Sequence, residues 1–436
     1  MFKKVMLGTI LSACMLNAAG YKIPEQSNDG LALGASNVAV NFGPDAAYYN
    51  PANMMFMHDS RHYFENTLAW FHIHPVKFHT NDGREFKSQK FDTMASTFHF
   101  VSPEHYENWR FGLSLAVPVG VGIGWSNKDA AFSGKRFKLK AVELNPTVAY
   151  RINDKLAVAL GARAVYTKGF VATELYGDGY RHVHGDGINF GYNLALSYKP
   201  TDELSFAVTY RSKVSLKVSG KTRSDYTGKP QANGGGAGGA GNGGAALNSM
   251  LDFYGKTKVN IPLPAQLQLA TAYKLYDTTF MFAYERTFWS SFNGYDFEYD
   301  NAPKNPIFYG LYDKKIEKNY RNTNTFRFGI AHELNPKIRL MAGFVYDQKA
   351  AKNPYSVSFD LPDTKSYAYS AGINYKFSEN LEFAFSGLYQ DRQKSSASVK
   401  AMKDQKFSIR PTPTTLNGHF GDAKIWILST GIKYKF

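Results

Sequence analysis

Cysteine is nearly absent from these 436 residues. The single Cys14 lies near the start of the chain, which excludes a disulfide framework and thiol chemistry elsewhere. No run of 18 apolar residues follows, so no transmembrane helix is expected. The longest apolar stretch, Phe111 to Trp125, is interrupted by Pro118 and four glycines. Basic runs are missing too. The formal charge is +15, yet Lys and Arg are scattered with no run of five, so nucleic acid is not expected as a partner. An anionic lipid or ligand suits such a balance better. Tryptophan is scarce, 5 residues against 29 Tyr and 33 Phe.

The N-terminus reads as a secretory leader over residues 1–18. Lys3 and Lys4 form its basic start, Val5 to Leu16 its apolar run, and Ala18-Ala19-Gly20 supply small residues for cleavage. Leu11-Ser12-Ala13-Cys14 has the form of a lipoprotein box, so lipidation at Cys14 stands as the alternative. Both routes take the chain out of the cytoplasm.

The rest alternates with period two. Trp426, Leu428, Thr430, Ile432, Tyr434 and Phe436 share one face, with Ser429, Gly431, Lys433 and Lys435 on the other. Leu204 to Val214 repeats this pattern, as do segments starting at Leu156, Ile188, Leu267, Phe326, Ile338, Tyr367 and Leu381. A soluble sandwich also alternates. Here, however, apolar faces end in Tyr or Phe, as the girdles of a membrane barrel require. Short turns such as Asn153-Asp154 and Asn335-Pro336 contrast with long connections at the other strand ends. The expected fold is all-β: a transmembrane antiparallel barrel of about 14 strands over residues 61–436, closed because lipid satisfies no strand edge. A strand ending in Phe436 fits an outer-membrane barrel.

By parity, Arg163, Arg211, Lys213, Arg327, Arg339 and Lys433 point into the lumen, with Glu143, Glu285, Asp347 and Glu382 as partners. Facing lipid would cost each cation about 2–4 kcal/mol near the midplane. The run Asn233 to Gly244 reads as a flexible outer loop. Seven of the 11 histidines fall between His58 and His105, but no converging ligand set accompanies them. Neither a metal nor a cofactor is expected.

Residues 19–60 do not alternate. They hold the mixed run Leu31 to Val40 and the turn Asn50-Pro51-Ala52. A compact segment of this kind ahead of a wide barrel belongs inside it, as a plug.

In order and spacing, several landmarks resemble the FadL family of outer-membrane transporters for hydrophobic compounds, across essentially the whole mature chain. They are Ala19-Gly20-Tyr21, Asn50-Pro51-Ala52, Phe111 to Gly120, Leu144 to Tyr150, Thr209 to Val214, Glu285 to Trp289 and Tyr346-Asp347. The resemblance implies passive uptake without catalysis. A hydrophobic ligand is captured at outer loops, held in the upper barrel, released when the plug rearranges, and passed sideways into outer-membrane lipid through a kink in the third strand. Here the kink would be Pro118-Val119-Gly120, where proline and glycine independently weaken a strand. Asn50-Pro51-Ala52 would lie in the plug facing that gap.

Ligand contacts are expected at Tyr21, Arg163, Lys168 and Arg211. Fatty-acid members carry a fifth-strand arginine where this chain aligns Thr173, and Lys168 has the opposite parity. A long-chain fatty acid, an aromatic hydrocarbon or another lipid therefore all remain open as cargo, and a monomer is expected. The rivals are a hydrophilic porin, which needs no plug, an outer-membrane enzyme, for which His182, His184 and His419 lack a suggestive serine, and a structural or adhesive barrel.

Overall fold

The computed structural model describes residues 20–57, 59–175, 179–226, 250–402 and 413–436. The leader, with Cys14 and Ala18, and the glycine-rich run from Asn233 to Gly244 lie outside the described residues.

Fourteen antiparallel strands form a closed barrel. They are β1 (Tyr63–Ile73), β2 (Phe91–Val101), β3 (Trp109–Ile123), β4 (Arg136–Asn153), β5 (Leu156–Leu175), β6 (Gly179–Tyr198), β7 (Leu204–Arg211 and Val214–Tyr226), β8 (Phe253–Leu263 and Gln266–Leu275), β9 (Thr278–Thr287), β10 (Thr323–Asn335), β11 (Ile338–Asp347), β12 (Ser366–Lys376), β13 (Leu381–Arg392) and β14 (Ala423–Lys435). Closure comes from β1 against β14, in register from Tyr63↔Lys435 to Ile73↔Ile425. Short turns join strands at one end and long connections at the other, the arrangement of periplasmic turns and extracellular loops.

The expected parity holds in β14. Trp426, Leu428, Ile432 and Tyr434 are exposed, while Ser429, Gly431 and Lys433 are buried inside. Arg163, Arg211, Arg327 and Lys433 are buried as expected. Lys213 is a correction. Ser212 and Lys213 interrupt β7, so Arg211 and Val214 both face inward and Lys213 is exposed. Two residues outside the alternation reset its phase.

β4, β5 and β6 run for 18, 20 and 20 residues, about twice the 9–11 needed to cross a bilayer. Their upper halves therefore stand above the membrane, and there the inward face turns apolar, with Phe137, Leu139, Val165 and Val183 buried together. Short strands from the outer loops add a four-stranded sheet. Its Phe78 and Phe420 rings pack 4.8 Å apart, with Phe359 5.1 Å from Phe78.

The segment Gly20–Met57 is buried for most of its length and touches strands around the whole circumference. Ser386 of β13 and Ser429 of β14 donate to Asn28, Arg327 of β10 to the Gly34 carbonyl, and Arg211 of β7 to the Tyr48 carbonyl. Two short helices form within it, α1 (Asn28–Ala32), capped by the Ser27 hydroxyl accepting from Gly30 N at 2.8 Å, and α2 (Ala46–Tyr49). Glycines in the wall permit the close approach. A Cβ on Gly343 would stand 2.5 Å from the Leu33 carbonyl carbon.

Candidate functional site

The wall is incomplete between β2 and β3. The two strands pair only from Phe98↔Leu115 to Val101↔Gly112, near their periplasmic ends. Above that, Phe91 to Thr97 pair with β1 alone, and Val119 to Ile123 with β4 alone. The cause lies in β3. Its register against β4 slips between Ala116 and Val119, around Pro118, which has no N–H to give a ladder.

The freed edge of β3 is met from inside. Ile23 N donates to Pro118 O at 3.0 Å, Gly120 N donates to Tyr21 O at 3.3 Å, and Lys22 bridges Val119. The Gln26 amide spans Val117, accepting from its N–H at 2.7 Å and donating to its carbonyl at 3.1 Å. Ile23, Gln26 and Leu31 line a cavity of about 320 Å³ with Ala95 and Thr97 of β2 and Val117 of β3. Glu25 also lines it, its carboxyl raised by burial, an effect that nearby Arg327 opposes.

A second cavity of about 520 Å³ lies behind the segment and carries Pro118, Tyr48, Arg163, Arg211 and Glu285 on its walls. Arg163 and Arg211 are brought together by one carboxylate: Glu143 accepts from Arg163 Nη2 at 2.8 Å and pairs with Arg211. Arg211 also stacks 4.4 Å from the Tyr48 ring centre. Both arginines thus fasten the wall and the lumenal segment, and neither is free of a counter-ion. Glu285 likewise takes Lys22 and, at 3.6 Å, Arg327.

The third cavity is apolar. About 430 Å³ in the upper barrel is enclosed by side chains that include Phe137, Leu139, Val183, Val218, Ile261 and Phe297. One inward position above Val183 stands Arg181, which the sequence reading missed. It is 4% exposed, donates to Tyr299 Oη at 2.8 Å and to Tyr312 O at 3.1 Å, and sits 5.0 Å from the Phe297 ring centre. No ion pair engages it among the described residues, and its buried Nε is unpartnered, as is the buried Oγ1 of Thr173 directly across the ladder. The fifth-strand position carries no cation, but its neighbour on β6 does. Only pairing reveals this, since the two are eight residues apart along the chain.

Tyr21 is fully buried at the meeting of segment and outer loops, its hydroxyl donating to Pro262 O and its ring 5.0 Å from Trp289. Lys168 is exposed on the outer face of β5, away from every cavity above. The turn Asn50-Pro51-Ala52 follows directly on Tyr48 and Tyr49, which pack on Ala116 of β3. Asn50 donates to Ser197 Oγ near the periplasmic end of β6 and to Val38 O, both at 2.8 Å, and caps the turn by accepting from Ala52 N at 3.1 Å. The backbone groups freed around Pro118 are met by Tyr21 to Gln26, because buried N–H and C=O groups need partners.

The family of outer membrane transport proteins described as OMPP1/FadL/TodX matches residues 9–436. Outer membrane protein P1 of Haemophilus influenzae is 23% identical, over 93% of this chain and 94% of its own. The long-chain fatty acid transport protein of Escherichia coli strain K12 is 21% identical, over 80% of each chain. Among solved structures, a Pseudomonas aeruginosa FadL homologue superposes with a TM-score of 0.78 at 20% identity, covering 95% of this chain and 99% of that one. The Ralstonia pickettii toluene transporter TbuX gives 0.67 at 17% identity, covering 96% and 99%. The apolar upper cavity, the segment within the lumen and the seam beside Pro118 thus stand in an outer-membrane β-barrel, and the chain belongs to the OMPP1/FadL/TodX family of outer-membrane transporters of hydrophobic compounds.

Proposed function

We propose that this barrel takes up long-chain fatty acids and releases them sideways through the β2–β3 seam into outer-membrane lipid. The carrying observation is the freed upper edge of β3 held by Tyr21 to Gln26. Cargo enters at the outer loops and settles in the apolar cavity under Arg181. Residues 19–60 serve as the plug of barrel 61–436. When Tyr21 to Gln26 withdraw, Pro118, Val119 and Gly120 border an opening to lipid. The protein works as a monomer, without catalysis.

Burying about fifteen methylenes contributes roughly 12 kcal/mol gross, of which association and ordering offset several. A charged hydrogen bond to the head group adds about 1.5–3 kcal/mol. The apolar wall therefore sets affinity, and Arg181 sets the preference for an acid over a hydrocarbon. An aromatic-hydrocarbon channel is the second reading, supported by the ring-rich lining of Phe137, Tyr295 and Phe297.

The test is uptake of labelled long-chain fatty acid and, separately, of toluene by cells carrying the wild type or a Pro118→Val/Gly120→Val variant, with surface expression matched. Loss of fatty-acid uptake in a correctly inserted variant supports lateral release. Unchanged uptake of both sinks it and moves the route to a channel through the plug.

A further inference from the structure

The basic excess of the sequence is not absorbed by the lumen, where Arg163, Arg211, Arg327 and Lys433 meet carboxylates. Part of it collects outside. An open cleft of about 1070 Å³ on the outer wall is lined by Arg321, Lys349, Lys352, Lys365 and Lys394, with no carboxylate among its lining residues. These five come from three different connections, each within a few residues of the upper end of β10, β11, β12 or β13. Arg321, Lys352, Lys365 and Lys394 are exposed, and Lys349 is half-buried, donating to Ser395 Oγ at 2.6 Å. None of the five forms an ion pair among the described residues. The buried Asp363, whose charge reaches Lys349, is turned inward, accepting from Ala351 N at 2.6 Å and Gly20 N at 3.3 Å.

The height of the cleft narrows the choice of ligand. Tyr346 is part of its lining and continues downward into an outward-facing aromatic row, 5.3 Å from Tyr367 and 6.4 Å from Phe326 by ring centres. Such rows mark the level where hydrocarbon gives way to headgroups. Five like charges lining one cleft repel one another unless an anion joins them. A single carboxylate would neutralise one of them, whereas a headgroup with two phosphates spans several. Asn322, Gln348 and Ser396 supply further polar groups at the rim.

We propose that this cleft binds the phosphorylated headgroup of an outer-leaflet glycolipid. The site lies outside the barrel and is separate from the cargo route. It fixes the β10–β13 side of the wall in the membrane, opposite in function to the seam between β2 and β3.

The test is binding of lipid A to the purified, folded full chain in detergent, read by native mass spectrometry. It compares the wild type, a Lys349→Gln/Lys365→Gln/Lys394→Gln variant, and a variant with the same charge loss at periplasmic-end sites, Lys155→Gln/Lys274→Gln/Lys337→Gln. Removing a surface cation weakens anionic-lipid binding roughly fivefold, so the cleft variant is expected to lose about a hundredfold, the periplasmic variant little. Dephosphorylated lipid A should bind weakly, and inorganic phosphate at equal concentration should not compete. Equal losses in both variants, or undiminished binding of the dephosphorylated lipid, overturn the proposal. Competition by inorganic phosphate assigns the cleft to a free anion and overturns the lipid. Should the triple variant fail to fold, the exposed single Lys365→Gln variant carries the same comparison.

Discussion

Pro118 of the wall and Ile23 of the lumenal segment share a backbone hydrogen bond of 3.0 Å, at a height where β3 has no bond to its neighbour β2. A strand of the barrel is there completed by a segment that is not part of it. The barrel wall and its contents are therefore one hydrogen-bonded unit at this point, and movement of the segment uncovers unpaired backbone.

Gln26→Ala tests that coupling. The substitution leaves both the amide and the carbonyl of Val117 without their side-chain partner, at a cost of about 1–3 kcal/mol. Hydrogen exchange should show faster opening of residues 21–31 while the amides of β10 to β13 keep their protection.

Arg181→Gln separates acid from hydrocarbon cargo. The affinity for a long-chain fatty acid, measured by calorimetry, should fall about tenfold or more. Toluene uptake should stay at the wild-type level, since the apolar lining is intact.

Glu143→Gln leaves Arg163 and Arg211 buried without their shared counter-ion. Breaking a buried pair by removing one partner costs about 3–5 kcal/mol. A lowered unfolding temperature in detergent is expected, and Lys155→Gln at the exposed β4–β5 turn should leave that temperature unchanged.

Asp45 makes the segment sensitive to pH. Its carboxyl accepts from Ser27 and Asn37 at 2.7 and 3.0 Å, but its other oxygen is buried without a partner. Burial, then the charge of Asp29, pushes it up to about 6 from 3.8. The folded form therefore holds the proton more tightly than the unfolded one. The penalty of ionising Asp45 is absent below the unfolded value, grows as pH rises between the two, and is complete above about 6, where it amounts to at most about 3 kcal/mol. Asp29 works in the opposite sense. Burial alone would raise it, but Lys433 and Arg339 reverse this and hold it below the ordinary range, so its contribution is lost only in stronger acid. Amide protection of residues 26–50 should be higher near about pH 5 than near about pH 7.5, and Asp45→Asn should flatten the difference.

Asn50→Ala removes the cap on Ala52 and the bonds to Ser197 and Val38. Loss of a cap of this kind costs about 1 kcal/mol, visible as faster exchange at residues 50–56. Uptake should remain close to wild type, because the turn is anchored at the periplasmic end of β6.

The sequence by itself determined the barrel. Strict alternation in segments such as Leu381 to Tyr389 and Trp426 to Phe436 fixes which face meets lipid, since a side chain in a strand has only two directions and lipid excludes charge. It also determined the break at Pro118, because a missing N–H is a property of the residue and not of its surroundings. The inward set of Arg163, Arg211, Arg327 and Lys433 followed from the same parity, and Lys213 was lost from it where two residues leave the ladder. Tertiary structure alone decided what fills the break and what serves the cargo. Tyr21 to Gln26 satisfy β3, and Asn50-Pro51-Ala52 does not, because a compact segment can meet a cylinder at any azimuth and its own pattern carries no angle. Arg181 takes a place beside Thr173 through cross-strand pairing, and the five cations of the outer cleft converge from three loops. Such proximity depends on how strands close around a circumference, a distance that the order of residues along the chain does not encode.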